Sequence, residues 1–416
     1  MSTGTPPALA RRLGLGDAVL LGLGSMIGAG VFVVVGPAAH AAGTGLLVGL
    51  AAAALVAYAN ATSSAQLAAQ YPTSGGTYVY GRERLGPWWG YLAGWSFVVG
   101  KTASCAAMAL TFAAYAVPPA WQRPVAVAAV VALAAVNYRG VTRTALLTRV
   151  LVLPVLAALA VAVVAGLTGG APDWSRVVPQ AGSGGWYGVL QSAGLLFFAF
   201  AGYARLATLG EEVRDPARTI PRAIVLALGV VVVVYAVVAV TVLAVLGADG
   251  AAASSAPLGT VVEASGPGWA GPVVRVGAAL AALGALLALV AGVGRTALAM
   301  AREGDLPRAL AAVHPRYRVP HRAEVALAVV VCVLVLTVDL RGAIGFSSFG
   351  VLAYYLVANL SALSQDADHR RHPRGLPVLG AVGCVVLAVT LPWTAVVAGL
   401  GVLVVGLALR AATRRR

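Results

Sequence analysis

Charge is what this chain has least of: 10% of its 416 residues are Asp, Glu, Lys or Arg, while 60% are hydrophobic. A soluble domain carries roughly 25% charged residues to cover its surface, so the shortage excludes a water-soluble fold. Apolar runs long enough to cross a bilayer, on the order of 20 residues each, recur from end to end. Cysteine is scarcer still. Cys105, Cys332 and Cys384 lie far apart, each within an apolar stretch, and make neither a disulfide framework nor a metal site. None of the five histidines sits near the centre of a span, so neither a metal nor another cofactor is expected. Acidic residues number 14, too few for the interfacial cluster of Asp, His or Cys that a membrane-embedded transferase uses. Glu211, Glu212 and Asp215 do cluster, but among arginines in a loop. An enzyme is therefore not expected.

Arginine is present in excess. The net charge is +15, which in a soluble protein would suggest nucleic acid. Here the basic residues fall in short loops, so positive-inside topology accounts for them and no nucleic-acid partner is expected. Twelve spans are predicted, at about 15–39, 45–69, 88–116, 123–137, 146–168, 187–210, 222–247, 270–301, 323–340, 343–364, 375–391 and 393–411. An even number returns the chain to the side it started from. Counted on that topology, 22 arginines lie on the face of the termini and four on the other (Arg123, Arg176, Arg275 and Arg341). The expectation is a multi-pass protein of the cytoplasmic (inner) membrane, embedded in the lipid bilayer, with both termini cytoplasmic. Arg11 and Arg12 run directly into the first span and read as a cytoplasmic anchor rather than a cleavable signal. The predicted organisation is a tail at 1–14, five spans over 15–168, five more over 187–364, two over 375–411 and a basic tail at 412–416. The external connection 248–269 is expected to carry a short helix around Leu258 to Ala264.

The first span is unusual in reading Gly22-Leu23-Gly24-Ser25-Met26-Ile27-Gly28-Ala29-Gly30. Each glycine costs about 1 kcal/mol relative to alanine in a helix interior. In lipid, non-helical backbone survives only where protein or a water-filled cavity surrounds it. The run therefore suggests a broken helix, and the N-terminus of its second half would suit a carboxylate. Close helix packing through small residues is the competing reading. Five spans later comes Phe197-Phe198-Ala199-Phe200-Ala201-Gly202-Tyr203-Ala204-Arg205. Interrupted helices at matching positions of two halves point to a transporter site. Spans 1 and 6 match if spans 1–5 and 6–10 form inverted repeats. Packing within the bundle is the plainer account of the aromatics.

Lys101 is the only lysine, set near the middle of span 3. An ionisable group at that depth costs at least about 2.5 kcal/mol and marks a functional site by default. Lysine, unlike arginine, can release its proton when desolvated, which suits a proton-coupling role. A static cation satisfied by carbonyls or by snorkelling is the alternative. Arg205 and Glu211 are read as a gating ion pair, and Asp17 as a helix-start residue or gate partner.

These segments carry a family resemblance. The chain resembles the amino acid permease branch of the amino acid–polyamine–organocation superfamily. Four segments match: residues 24–32, the loop Tyr71-Pro72-Thr73-Ser74-Gly75-Gly76-Thr77-Tyr78, the stretch from Phe197 to Pro221, and Arg295 through Pro307. The resemblance implies an all-α membrane fold of twelve helices, a five-plus-five inverted repeat of leucine-transporter type with helices 1 and 6 broken. It implies a secondary transporter working by alternating access. Met26, Ile27, Gly28, Ala29 and Gly30 would then meet a substrate carboxylate, and carbonyls of Phe197, Phe198, Ala199 and Ala201 would accept from its amino group. Related proton-coupled permeases carry a lysine in span 5. That position falls near Pro154-Val155 here, with no cation, and Lys101 would act in its place. With no acidic residue predicted at mid-membrane, a neutral amino acid is the expected substrate. Lys101 or Arg205 facing the cavity would instead suit an acidic one. Exchange of amino acids or polyamines without proton coupling, and a nutrient sensor on a transporter scaffold, are the alternatives. A long cytoplasmic domain would favour the sensor, and none is predicted.

Overall fold

A computed structural model describes residues 13–71, 75–139, 144–169, 172–180, 184–203, 206 and 213–414, with side chains described outside 144–150 and 413–414. Among the described residues there are only helices and one isolated parallel bridge, between Leu13 and Val213. This is what lipid demands of a chain so short of charge, because a helix pairs its backbone groups within itself. In chain order the helices are α1 Leu15–Met26, α2 Gly30–Val33, α3 Val35–Ala42, α4 Leu46–Gln70, α5 Thr77–Leu85, α6 Pro87–Ala116, α7 Gln122–Tyr138 and α8 Thr144–Gly169. They continue as α9 Gly185–Phe200, α10 Pro216–Ala253, α11 Pro257–Ser265, α12 Ala270–Arg302, α13 His321–Thr337, α14 Leu340–Leu363, α15 Gly375–Thr390 and α16 Trp393–Arg414.

Nine helical stretches among the described residues are long and apolar enough to cross a membrane. Three helices at positions expected to span are shorter: α9 has 16 residues, α13 17 and α15 16. The α9 segment falls short because its α-helix gives way after Phe200 to a 3₁₀ turn over Ala201–Tyr203. The expected run on to residue 210 lies largely outside the described residues. The helix beginning at Pro216 bends at Gly247 (φ 69°), where the sequence ends span 7, and α11 is a short helix in the connection where one is expected.

The helices differ in how deeply they sit. The two most buried, α6 and α14, pack along each other, and α6 also packs along α12; α7 and α16 face outward. That order follows composition. The hydroxyl, amide and ammonium groups of α6 and α14 have no place against lipid, whereas the lipid-exposed faces of α10, α13 and α16 are valine and leucine. Trp121, Trp174, Trp186, Trp269 and Trp393, all exposed, stand in or beside the connections at 117–122, 172–184, 266–269 and 391–393. An apolar ring with a polar edge is stable at a membrane–water boundary, so these residues form an interfacial belt. The architecture is that of a multi-pass membrane protein.

Candidate functional site

The glycine run of the first span does break the helix. Ile27 leaves helical geometry (φ −80°, ψ 55°) and α2 begins at Gly30. Val34 is helical (φ −69°, ψ −23°), so α2 and α3 together form the second half-helix over 30–42. The first amides of a helix have no carbonyl one turn earlier to bond, and the macrodipole places partial positive charge there. Met26, Ile27, Gly28, Ala29 and Gly30 are all buried at this break.

The end of α9 crosses the break closely. A Cβ on Gly30 would stand 3.0 Å from Ala199 Cα, and one on Gly202 would collide with the Ser25 carbonyl. One on Gly22 would meet Leu206 Cδ1 at 2.7 Å and Ala227 Cβ at 3.1 Å. Both readings of the glycines therefore hold, at different positions. Gly22 and Gly30 permit close packing, while the chain between Ile27 and Ala29 is non-helical. The aromatic segment supplies the other wall: Phe197, Phe198, Ala199 and Ala201 are buried, and two of their carbonyls are held by side chains from elsewhere. Lys101 Nζ donates to the Ala201 carbonyl at 3.4 Å, and Tyr355 Oη donates to the same oxygen at 3.4 Å. Lys101 is thus brought to the 3₁₀ turn that ends α9.

Sequence reasoning missed Tyr235. Its hydroxyl lies 2.6 Å from the Met26 carbonyl and 3.0 Å from that of Ala199, so one group on α10 ties the break to the end of α9. Its ring packs on Phe200 with centroids 5.0 Å apart. A signal was there to read: between Ala223 and Val240 Tyr235 is the sole side chain able to hydrogen-bond. Tyr355 was missed too. It stacks on Tyr203 at 4.8 Å and meets Phe197 edge-on at 5.9 Å.

A cavity of about 470 Å³ opens beside the second half-helix, lined by residues that include Val33, Pro37, His40, Leu110, Arg123 and Arg341. Next to it Tyr115 Oη donates to the Phe32 carbonyl at 2.7 Å. At the opposite end of span 1, Asp17 Oδ2 accepts from the Gly14 amide at 3.1 Å. There Leu13 pairs with the 213–214 strand-like segment, the Arg214 amide donating to the Leu13 carbonyl at 2.9 Å. Arg205 and Glu211, the expected gating pair, lie outside the described residues.

A second polar centre joins two of the sequence segments. Asp305, buried, accepts from Tyr78 Oη at 2.8 Å and pairs with Arg82 at 3.4 Å and with Arg410 at 3.1 Å. Arg82 reaches Glu303 as well, at 3.1 Å. Arg410 is itself buried against the faces of Trp88 and Tyr91, 4.8 and 4.6 Å from the ring centroids, and donates to the Pro87 carbonyl at 2.6 Å. Burial, with the Asp305 carboxylate beside it, pushes the Tyr78 phenol well above its usual value, so this hydroxyl stays a donor. The cluster binds α5, the start of α6, the loop after α12 and the end of α16 into one unit.

A helical membrane body in which an interrupted first span crosses the end of α9 beside a buried lysine fits a transporter. The amino acid permease family profile matches residues 13–409, and the chain belongs to that family, within the amino acid–polyamine–organocation superfamily. It is 62% identical over 403 residues to an uncharacterized transporter of Mycobacterium tuberculosis, covering 97% of this chain and 91% of that one. It is 26% identical over 439 residues to a branched-chain amino acid permease of Bacillus subtilis (98% and 93% covered). It is 28% identical over 376 residues to the human cationic amino acid transporter 4 (84% and 59% covered).

Proposed function

We propose that the protein is a secondary transporter that takes up neutral amino acids by proton-coupled alternating access, with the substrate held between the broken first span and α9. The observation that carries this reading is the convergence at the break. The amides that begin the second half-helix would suit a carboxylate, and the carbonyls at the end of α9 would suit an ammonium group. Lys101 donates to one of those carbonyls, Ala201. A proton arriving at or leaving Lys101 changes the charge within reach of the site, which is what coupling requires. Among the described residues the buried carboxylates are Asp305 and Glu324, in the loop after α12 and in the first turn of α13. Among the described residues none stands beside the break to neutralise a cationic side chain. That favours a neutral substrate, while the relatives' names include both a branched-chain permease and a cationic amino acid transporter.

The topology proposed is twelve spans, counting the shorter α9, α13 and α15, with both termini cytoplasmic and spans 1–5 and 6–10 as inverted repeats. The helix contacts support it, because they come in pairs that exchange when the halves are exchanged. Span 1 packs on span 7 (α1 and α10) as span 6 packs on span 2 (α9 and α4). Span 3 packs on span 10 (α6 and α14) as span 8 packs on span 5 (α12 and α8). Spans 2 and 7, 3 and 8, and 4 and 9, which exchange with themselves, also touch.

The test is uptake by proteoliposomes of a panel of labelled amino acids and polyamines, with and without an inward proton gradient. Acceleration of neutral amino acid uptake by the gradient is the expected result. Uptake only into vesicles preloaded with amino acid would replace symport by exchange. Silence across the panel would return the sensor reading.

A further inference from the structure

Spans 2, 10 and 11, that is α4, α14 and α15, pack on one another on the side of the crossing that faces the loop to α5. Their contact is unusually polar for a membrane interior. Asn60, Ser63, Ser64, Gln66, Asn359 and Gln365 are each no more than 2% exposed. On α4 the spacing Asn60, Ser63, Gln66, Gln70 steps by three or four residues and therefore forms one strip. Two amide rungs cross from it to the chain of α14: Asn359 Nδ2 donates to Asn60 Oδ1 at 2.6 Å, and Gln365 Nε2 to Gln70 Oε1 at 2.6 Å. The rungs are ten residues apart on α4, or about 15 Å of helix. Between them, Ser63 Oγ, Ser64 Oγ, Gln66 Nε2, Gln365 Oε1 and Asn359 Oδ1 are buried and bond no protein group among the described residues.

One unsatisfied buried polar atom costs about 1–3 kcal/mol. Five along one seam, donors and acceptors mixed, are what a file of water molecules satisfies and what a dry apolar contact does not. The upper end of the seam reaches the coupling lysine. The Tyr203 hydroxyl faces Asn60, Cys384 and Tyr355, and Tyr355 shares the Ala201 carbonyl with Lys101. The lower end opens beside Gln70 and the backbone of Arg371, whose amide donates to Gln66 Oε1 at 3.4 Å.

We propose that spans 2, 10 and 11 enclose a hydrated polar passage through which the proton carried by Lys101 reaches the cytoplasm. The Lys101 ammonium gives up its proton to the first water beside Tyr355 and becomes the neutral amine. Relay along the file delivers one proton to cytoplasmic water at Gln70. Span 11, outside the repeated halves, is in this view the third wall of the passage. Its Gly380 makes room for the first rung, since a Cβ there would collide with the Asn359 amide. The proposal rests on the proton-coupled reading above, and its test separates the two.

In a Cys105→Ser, Cys332→Ser, Cys384→Ser background, Ser64→Cys and Ala65→Cys are compared in inside-out vesicles with a small charged methanethiosulfonate. Both positions are buried, 2% and 1% exposed, but the Ser64 hydroxyl is one of the buried seam groups that bond no described protein group, whereas Ala65 brings no polar atom to the seam. Ser64→Cys is expected to react and Ala65→Cys to be protected, with Asn60→Leu/Asn359→Leu abolishing the reaction. Equal protection of both thiols overturns the passage whatever the coupling. In proteoliposomes Asn60→Leu/Asn359→Leu is expected to lose gradient-driven uptake and to keep counterflow exchange. Equal loss of both overturns the proton route. Wild-type uptake indifferent to the gradient overturns the coupled reading, and the proton route with it, while the labelling still decides whether the passage holds water.

Discussion

At the scale of single residues, two positions carry most of the argument. Lys101 was conspicuous in the sequence as a lone lysine deep in an apolar span, and its contact with Ala201 gives it a partner the sequence could not name. A hydrogen bond from a charged group is worth about 1.5–3 kcal/mol, and removing it with its titratable charge should fall on the coupled mode. Lys101→Ala is expected to cut gradient-driven uptake by about tenfold or more, a barrier change of about 1.4 kcal/mol, with counterflow much less affected. Equal loss of the two modes would make the lysine structural. Gly202 is the second position. Its absent side chain lets the turn at the end of α9 cross the Ser25 carbonyl, and backbone on both sides leaves nothing free to move aside. Gly202→Ala should cost about 1–3 kcal/mol or more, as overpacking does, and lower the melting temperature and uptake together. A variant with wild-type melting and transport would show that the crossing is looser than described. Tyr235 shows why site residues escape sequence reading. Its role depends on two carbonyls, of Met26 and Ala199, that come together only when spans 1, 6 and 7 pack.

At the scale of elements, two of the sequence segments that mark the family turn out to be halves of one contact. Tyr78 ends the first and Asp305 lies within the second, and the phenol donates to the carboxylate although 227 residues separate them. Arg410 on α16 completes the cluster, so the last span is bolted to the loop after α12 rather than merely appended. Asp305→Asn keeps the shape but strips a buried arginine of its counterion, which costs about 3–5 kcal/mol when one partner of a buried pair is removed. The expected result is a sharp fall in thermal stability in detergent, partly restored by Arg410→Met in the same chain. If Asp305→Asn melts with the wild type, the cluster does not hold these elements together. The existence of the helices was legible from apolar run length. Their exact lengths were not. The α9 helix ends at Phe200 because the crossing requires a 3₁₀ turn there, a demand set by span 1 and not by the local sequence.

At the scale of the whole molecule, the paired helix contacts, the interrupted first span and the family membership fit the proposed transporter, a bundle that rocks around a central site. The site has backbone dipoles on two sides and no described carboxylate beside it, so leucine or isoleucine should compete for uptake far better than arginine. Competition in proteoliposomes checks this, and stronger inhibition by arginine would place a cationic side chain in the site instead. The sequence by itself determined the membrane class, the helical architecture and the position of the break. Each follows from local chemistry: too little charge for water, apolar runs the length of a bilayer, and glycines where a helix can be interrupted. Only the tertiary structure decided which groups meet. It brought Lys101 to Ala201, Tyr235 to both sides of the break, Asp305 to Arg410, and the amides of α4 to those of α14. Those partners lie tens to hundreds of residues apart, and hydrogen bonding between side chains that distant leaves no periodic trace in the sequence.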